Sequence, residues 1–367
     1  MFNVEYEDMY RAYTDCRKRK KSTPGAKKFE TYALYNIVQL TDEINRGKYK
    51  LMPSSCFVIE YPTQREVFCA AFRDRVVQHF VYNELNPVLE KLLIRDTASC
   101  RIGKGTDYAV QRVARFVRRE TENYTGEAFF GKLDLSGYFM SIDRDLLFAK
   151  ILHVVEHCYT GKYKDVLIYL IRIIILSDVT KNAQRICPIS KWDTLPARKT
   201  LFNNPYGIAI GNITSQLFAN FYLNSIDHFI KSRHPSYCRY VDDMIIVDKD
   251  KGRILETIRM LNLMLPGIHE KLNPRKSQVQ NVKYGIPFLG ITIKPYYNCL
   301  GRKRINRMYY TSSGITTPED MFMSAASRKG MFERYKGYHV SRRWYAQWPA
   351  EIREALIYLP NYKLKYA

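Results

Sequence analysis

Two adjacent carboxylates, Asp242 and Asp243, lie between two apolar runs that favour β-strands. The pattern over residues 237–247 predicts a β-hairpin with both acids at its tip. Side chains alternate between the two faces of a strand, so a turn is needed to bring neighbouring acids to one site. Close carboxylates repel each other unless cations neutralise them, and Mg²⁺ prefers oxygen ligands. The pair alone fits a metal site or a solvated turn.

A third carboxylate, Asp134, follows a strand pattern at residues 129–133. Such an Asp can belong to a ligand site, or it can form a turn or cap a helix. The order along the chain favours a site: Asp134, then Gly211-Asn212 before an apolar helix, then the acidic hairpin, then Lys276 on a later loop. Three carboxylates at one sheet edge can hold two metal ions ~3.5–4 Å apart, which would activate a 3′-hydroxyl for in-line displacement of pyrophosphate.

The composition indicates a folded protein with a polyanionic partner. Apolar residues make up 46% of the 367 residues, and 58 Lys and Arg against 36 Asp and Glu give a net charge of +22. The positive charge is spread along the chain, which favours nucleic acid, with an anionic membrane surface as the alternative. The longest apolar run, residues 166–176, is too short to span a membrane, and the N-terminus lacks a signal-peptide pattern. These features predict a cytoplasmic location.

Cysteine and histidine spacing does not indicate a metal site. The eight cysteines form no C-x-x-C pair, so reduced thiols are expected. His153 and His157 are four residues apart beside Cys158, but no second ligand pair accompanies them, and a structural or surface role is favoured.

The rest of the pattern predicts the elements that must position these acids. We expect helices within residues 1–52, which include the basic run 17–21, then strands at 56–59 and 66–72 around a turn at Pro62-Thr63. We further expect helices at 74–85, 107–120, 146–159 and 163–177, an irregular connection at 178–206, and a helix to Ile230 capped by Thr214 or Ser215. A helix at 253–264, a strand pair at 286–293 and a mostly helical end should follow. In that end, Trp344 and Trp348 are four residues apart, and a packed helix face is favoured over stacking on nucleic acid.

The ordered motifs resemble those of reverse transcriptases, with Tyr240-Val241-Asp242-Asp243 matching the Y-x-D-D box. The resemblance covers residues 56–295. It implies an α+β right-hand polymerase whose antiparallel palm sheet packs on helices. It also implies a basic N-terminal helical region (1–55), fingers (56–125), a palm (126–295, with 178–206 near the fingers) and a helical thumb (296–367).

The resemblance also implies roles for individual residues. Asp134 and Asp242 would be the principal ligands of two Mg²⁺ ions, with Mn²⁺ as a substitute, assisted by Asp243 and the Leu135 carbonyl. Phe139 would exclude a ribose 2′-hydroxyl and so favour dNTPs. The nucleotide-binding set would be completed by residues of the fingers, the 210–216 segment and a later loop: Arg65, Arg101, Ile210, Gly211, Asn212, Gln216 and Lys276.

The segment Ile210-Gly211-Asn212-Ile213-Thr214-Ser215-Gln216 departs from the common Gln-Gly-x-x-x-Ser-Pro pattern. This version resembles reverse transcriptases of diversity-generating retroelements, which copy a template-repeat RNA into cDNA with errors at adenines. Loss of a polar side chain over the nascent base pair would remove hydrogen bonds worth ~1 kcal/mol each, so discrimination should fall.

The resemblance implies four kinds of partner: structured template RNA, cDNA, dNTPs, and a small basic accessory variability protein that forms a ring. Two alternatives stay open. One is another bacterial reverse transcriptase, of the group II intron or defence-associated type, and the other is a non-catalytic RNA-binding scaffold. Retention of all three acids and Phe139 favours an active enzyme.

Overall fold

The computed structural model describes residues 1–18, 23–60, 63–196, 199–359 and 363–367. The chain forms two compact units, each built from three stretches of sequence. Unit 1 contains Met1–Cys100, Asp134–Ser232 and Arg259–Asn273, and unit 2 contains Arg101–Leu133, Arg233–Ile258 and Pro274–Ala367. Helices and strands both occur throughout, which confirms the α+β class. The division into fingers, palm and thumb stays a prediction.

The elements have the following bounds. The helices are α1 Tyr6–Arg17, α2 Pro24–Glu30, α3 Ala33–Asn45, α4 Phe72–Leu92, α5 Thr106–Glu120, α6 Tyr138–Ser141, α7 Arg144–Cys158, α8 Lys164–Leu176, α9 Ser190–Asp193, α10 Ile213–Tyr222, α11 Asn224–Arg233, α12 Lys251–Met264, α13 Arg302–Ser312, α14 Pro318–Arg334, α15 Tyr338–Ala346 and α16 Ala350–Ala355. The strands are β1 Ser55–Ile59, β2 Arg65–Cys69, β3 Phe129–Asp134, β4 Gln184–Arg185, β5 Tyr237–Tyr240, β6 Asp243–Asp248, β7 Gln278–Asn281, β8 Ile286–Phe288, β9 Ile291–Lys294, β10 Tyr297–Leu300, β11 Leu356–Leu359 and β12 Lys363–Tyr366.

Unit 1 combines a long buried helix with a small sheet. Helix α4 buries Val77, Phe80 and Val81 among other apolar side chains, and it contacts α1 and α10. In the sheet, β1 pairs antiparallel with β2 and parallel with β4. A small apolar cluster joins this sheet to the segment before α10; its members are Cys56, Phe68, Met140, Leu201 and Ala209. The cluster therefore positions the Ile210–Gln216 segment beside β2.

Unit 2 contains the acidic hairpin. Its main sheet has the strand order β5-β6-β3-β7, and a second sheet has the order β10-β9-β8. Five of the six residues of β6 are buried, as expected for a strand covered on both faces. Gly131 in β3 allows a close approach of α12, because a Cβ there would lie 2.7 Å from Ile254 Cγ2. Strand β6 thus lies between β5 and β3 and contacts α5.

The structure differs from the sequence prediction in several elements. The connection 178–206 contains β4 and α9, because the Gln184 and Ile186 amides bond to carbonyls beside and within β1. The helix expected to continue to Ile230 breaks after α10, where the Lys150 ammonium bonds to the Tyr222 carbonyl. The C-terminal region ends in an antiparallel hairpin, β11–β12, besides its helices. Within residues 17–21 only Arg17 and Lys18 are described, and Pro62 of the expected turn also lies outside the described residues.

Other expectations are confirmed. Trp344 and Trp348 are 3% and 5% exposed, with ring centroids 5.0 Å apart, so this pair packs in a core. All eight cysteines are free thiols, and burial raises the pKa of Cys56 to about 11. Among the described residues, no helix is both long and apolar enough to cross a membrane.

A buried histidine ties the far end of β6 to α12. His234 Nδ1 lies 2.7 Å from Asp248 Oδ2, and His234 Nε2 lies 2.8 Å from the Thr257 hydroxyl. Because an ionised carboxylate only accepts, a neutral ring that donates from Nδ1 and accepts at Nε2 satisfies both contacts. Burial lowers the pKa of His234 below its usual 6.5; Arg253 and Arg233 act in the same direction, and Asp248 opposes them.

We therefore expect the free energy of unfolding to decrease as the pH is lowered below about 6.5. The unfolded chain binds a proton there that the folded chain resists, whereas above this pH both states are neutral at His234. The slope is at most about 1.4 kcal/mol per pH unit. Urea unfolding at pH 7.5 and 5.5 measures it, and His234→Gln should flatten the dependence. An equally steep dependence in that variant would contradict the assignment.

Candidate active site

The two adjacent acids lie at a tight turn in unit 2. Tyr240 pairs with Asp243, so only Val241 and Asp242 form the loop between β5 and β6. Val241 has a φ of 57°, which is strained for a β-branched residue. Asp242 and Asp243 are half-buried, with their side chains near the end of the sheet. The predicted hairpin is confirmed.

Asp243 has a cation close to it. Lys132 Nζ, from β3, lies 3.9 Å from Asp243 Oδ1 and donates to the Pro287 carbonyl at 3.0 Å. Strands β3 and β6 are neighbours in the sheet, and a Cβ on Gly131 would lie 3.9 Å from Ile246 Cβ. The Lys132 ammonium therefore lies beside the start of β6, within unit 2.

Asp134 is the last residue of β3 and belongs to unit 1. It is 4% exposed, and its Oδ2 accepts from Asn273 Nδ2 at 3.3 Å. Its carbonyl accepts from the Asn273 amide at 2.7 Å, and Leu135 forms an antiparallel bridge with Leu272. The segment 271–273 thus fixes the backbone at Asp134 and Leu135.

Phe139 lies in α6, after the turn that follows Asp134. Gly137 has a φ of 71°, so a glycine suits the turn. The Phe139 carbonyl accepts from the Ile208 amide at 2.9 Å, and the Phe139 ring is half-buried. This bond places Phe139 beside the segment that leads to Ile210 and Gly211.

The Ile210–Gly211 segment lies directly against β2. The Phe68 amide donates to the Ile210 carbonyl at 2.9 Å, and the half-buried Ile210 side chain packs on the Cys56–Phe68 cluster. Gly211 has a φ of 122°, and a Cβ there would lie 2.5 Å from the Phe68 carbonyl oxygen. Only glycine fits this close backbone approach.

Helix α10 begins differently from the prediction. Its N-cap is Asn212, which makes no side-chain capping bond, so the expected cap by Thr214 or Ser215 is wrong. Both residues lie inside the helix and are buried, and Thr214 Oγ1 has no hydrogen-bond partner among the described residues. Asn212 is also buried, at 8% exposure, whereas Gln216 is exposed.

The three predicted basic residues lie in different parts of the chain. Arg65 begins β2 in unit 1 and is half-buried. In unit 2, the half-buried Arg101 lies in the loop before α5, and the exposed Lys276 lies in the turn before β7.

Glu66 is a residue that the sequence interpretation missed. It is fully buried, and its carboxylate accepts from Trp192 Nε1, Thr200 Oγ1 and the Leu201 amide at 2.7–3.0 Å. These bonds hold the connection before Ile210 on β2. The signal was strand alternation, which places Glu66 on the same face as the core residue Phe68.

The carboxylates have the chemistry of ligands for a hard divalent cation. Asp242 and Asp243 share one turn in unit 2, and Asp134 is the last residue of β3 and belongs to unit 1. Among the residues that the structure describes, no three His, Cys, Asp or Glu side chains form a ready-made metal cluster. The carboxylate oxygens of these residues are suitable donors for a hard divalent cation.

The chain matches a known family over most of its length. The sequence profile described as "Reverse transcriptase (RNA-dependent DNA polymerase)" matches residues 62–293. Among curated proteins, none matches the chain.

Solved telomerase structures show some similarity. Apo telomerase from Candida tropicalis is 11% identical, with a TM-score of 0.49, over 81% of this chain and 57% of that chain. Telomerase from Candida albicans, in complex with a TWJ fragment of telomeric RNA, is 12% identical, with a TM-score of 0.45, over 86% and 64%. The chain spans about three fifths of the length of these proteins. Because the family profile covers more than half of the sequence, the chain belongs to the reverse transcriptase family.

Proposed function

We propose that this chain is an error-prone RNA-directed DNA polymerase of a diversity-generating retroelement, which copies template-repeat RNA into adenine-mutagenised cDNA. The observation that carries the proposal is the family match together with the segment Ile210–Gln216. In that segment an aliphatic side chain replaces the usual Gln, and Gly211 lies in backbone contact with β2.

In this proposal Asp134, Asp242 and Asp243, with the Leu135 carbonyl, hold two divalent ions. Members of this family generally use divalent metal ions, and carboxylates favour Mg²⁺, with Mn²⁺ as a substitute. When bound, such ions lower the pKa of the primer 3′-hydroxyl and neutralise charge on the leaving pyrophosphate. The protein supplies the orientation: the hairpin turn sets Asp242 and Asp243, and the bonds to Asn273 set Asp134.

The remaining predicted residues would bind the nucleotide. Phe139 would exclude a 2′-hydroxyl, and Lys276 would donate a proton or a positive charge to the pyrophosphate. Arg65 and Arg101 would contact the triphosphate or the template, and Gly211, Asn212 and Gln216 would border the base pair.

The proposed partners are structured template RNA, its cDNA, dNTPs and a small basic ring-forming accessory variability protein. The net charge of +22 supports binding of a long polyanion. Association with RNA should therefore weaken steeply as the salt concentration rises.

Primer extension on RNA templates with Mg²⁺, with and without the accessory protein, tests the proposal. We expect dNTP incorporation with frequent errors opposite adenine. Accurate copying would favour another bacterial reverse transcriptase. No incorporation under any of these conditions would favour an RNA-binding scaffold.

Replacement of Ile210 tests the origin of the errors. We expect Ile210→Gln to change misincorporation opposite adenine by about fivefold, the equivalent of one hydrogen bond of ~1 kcal/mol, with little change in overall rate. Ile210→Val is the matched control, because it keeps an apolar side chain on the Cys56–Phe68 cluster. Sequencing of the cDNA measures the effect, and identical error spectra for both variants would contradict it.

A further inference from the structure

Arg239 is a charged residue with an unusual environment. It is fully buried, at 0% exposure, and it lies in β5 just before Tyr240. A guanidinium keeps its proton in a protein, so this side chain places a permanent charge inside unit 2. Burying such a charge is costly unless its N–H groups are hydrogen-bonded.

One hydrogen bond of Arg239 reaches the acidic turn. Arg239 Nη1 donates to the Val241 carbonyl at 2.8 Å. That carbonyl belongs to the peptide group that joins Val241 to Asp242. Because rotation of this peptide plane changes the direction in which the Asp242 side chain leaves the backbone, the bond restrains Asp242.

The turn requires such a restraint. Two-residue hairpin loops usually have Gly or Asn at positions with positive φ, whereas this loop has Val241 at a φ of 57°. Strained backbone of this kind persists only where its surroundings hold it in place. Arg239 supplies a fully buried donor that bonds directly to the carbonyl of the strained residue.

We propose that Arg239 is a positioning residue, whose buried guanidinium fixes the Val241–Asp242 peptide so that the Asp242 carboxylate is aimed at the divalent ion. The assignment rests on the proposed function. Because Arg239 is fully buried, its loss should lower kcat without changing the KM for dNTPs or the affinity for RNA.

The test compares Arg239→Met with Arg233→Met. The second variant also removes a cation from unit 2, but its bonds to Thr257 and Glu256 lie away from the turn. Both variants are assayed below their unfolding temperatures. We expect Arg239→Met to lose about 100-fold in kcat, the effect of displacing a catalytic group by about 1 Å. We expect Arg233→Met to retain wild-type kcat. Equal kcat values in the two variants, or a change confined to KM, would overturn the proposal.

Two further measurements separate positioning from a purely structural role. Mn²⁺ binding, followed by electron paramagnetic resonance, should weaken in folded Arg239→Met and stay unchanged in Arg233→Met. An asparagine at position 241 adopts positive φ with less strain than valine. Arg239→Met should therefore lower kcat less in the Val241→Asn variant than in the wild-type chain. Unchanged Mn²⁺ affinity, or no such coupling, would contradict positioning.

A conservative variant covers the case in which Arg239→Met does not fold. Arg239→Lys keeps the buried charge but replaces the planar fork with a single ammonium, so it should fold and lose part of the kcat and Mn²⁺ affinity. Wild-type values for both quantities would overturn the proposal. If the wild-type chain itself extends no primer, the proposed function fails, and the Mn²⁺ titration still decides the role of Arg239.

Discussion

Asp242→Asn is expected to abolish nucleotide incorporation while leaving RNA binding intact. The substitution keeps the shape of the side chain but removes an anionic ligand at the tip of the β5–β6 hairpin. Metal ions contribute several kcal/mol of transition-state stabilisation, so a loss of at least about 10³-fold in kcat is expected. RNA affinity depends on cationic side chains distributed over the protein and should not change.

Single-turnover primer extension and a filter-binding titration measure the two quantities. Asp250→Asn is the matched control in unit 2. The Asp250 carboxylate accepts from the Gly252 amide at 2.7 Å, at the start of α12, and Asn caps a helix about as well as Asp. Full activity of Asp242→Asn would contradict the proposed metal-ion chemistry. Equal losses of kcat in Asp242→Asn and Asp250→Asn would indicate a general folding defect.

Gly211→Ala is expected to destabilise the protein strongly. The added Cβ would lie 2.5 Å from the Phe68 carbonyl oxygen and 3.0 Å from Val67 Cγ1, on a backbone whose φ of 122° disfavours any side chain. The closest atom belongs to the backbone of β2, so no rotamer change relieves the clash. Backbone strain and overpacking together predict a loss of about 2–5 kcal/mol in the free energy of unfolding.

Urea unfolding measures this loss, and Gly267→Ala is the control in unit 1. Gly267 has a negative φ, and a Cβ there would have no atom within 4 Å, so the same change should have little effect. If Gly211→Ala unfolds at the wild-type urea concentration, the backbone contact with β2 does not exist in solution.

The acidic hairpin could be predicted from local sequence because strand propensity and turn position act over a few residues. Tyr240 and Asp243 form the last pair, and the two-residue loop follows. The family could likewise be recognised from ordered motifs, and the match over residues 62–293 confirms it. The retroelement type, the metal ligands and the nucleotide-binding residues stay predictions.

Other features could not be read from local patterns. β4 forms because β1, more than a hundred residues earlier, offers it main-chain partners. Helix α10 ends early because Lys150 occupies the Tyr222 carbonyl, and its expected cap by Thr214 or Ser215 is absent because these residues lie within the helix. In each case a long-range contact or packing outweighs the local preference.

By itself, the sequence determined the α+β class and the family, and it predicted the acids and the aromatic residue of the site, because residue types and short spacings carry that information. Only the tertiary structure decided which charges are buried and what they restrain. Glu66 holds a distant connection on β2, and Arg239 holds the carbonyl before Asp242. The physical reason is that the cost of burying a charge depends on donors and acceptors that the folded chain brings to it.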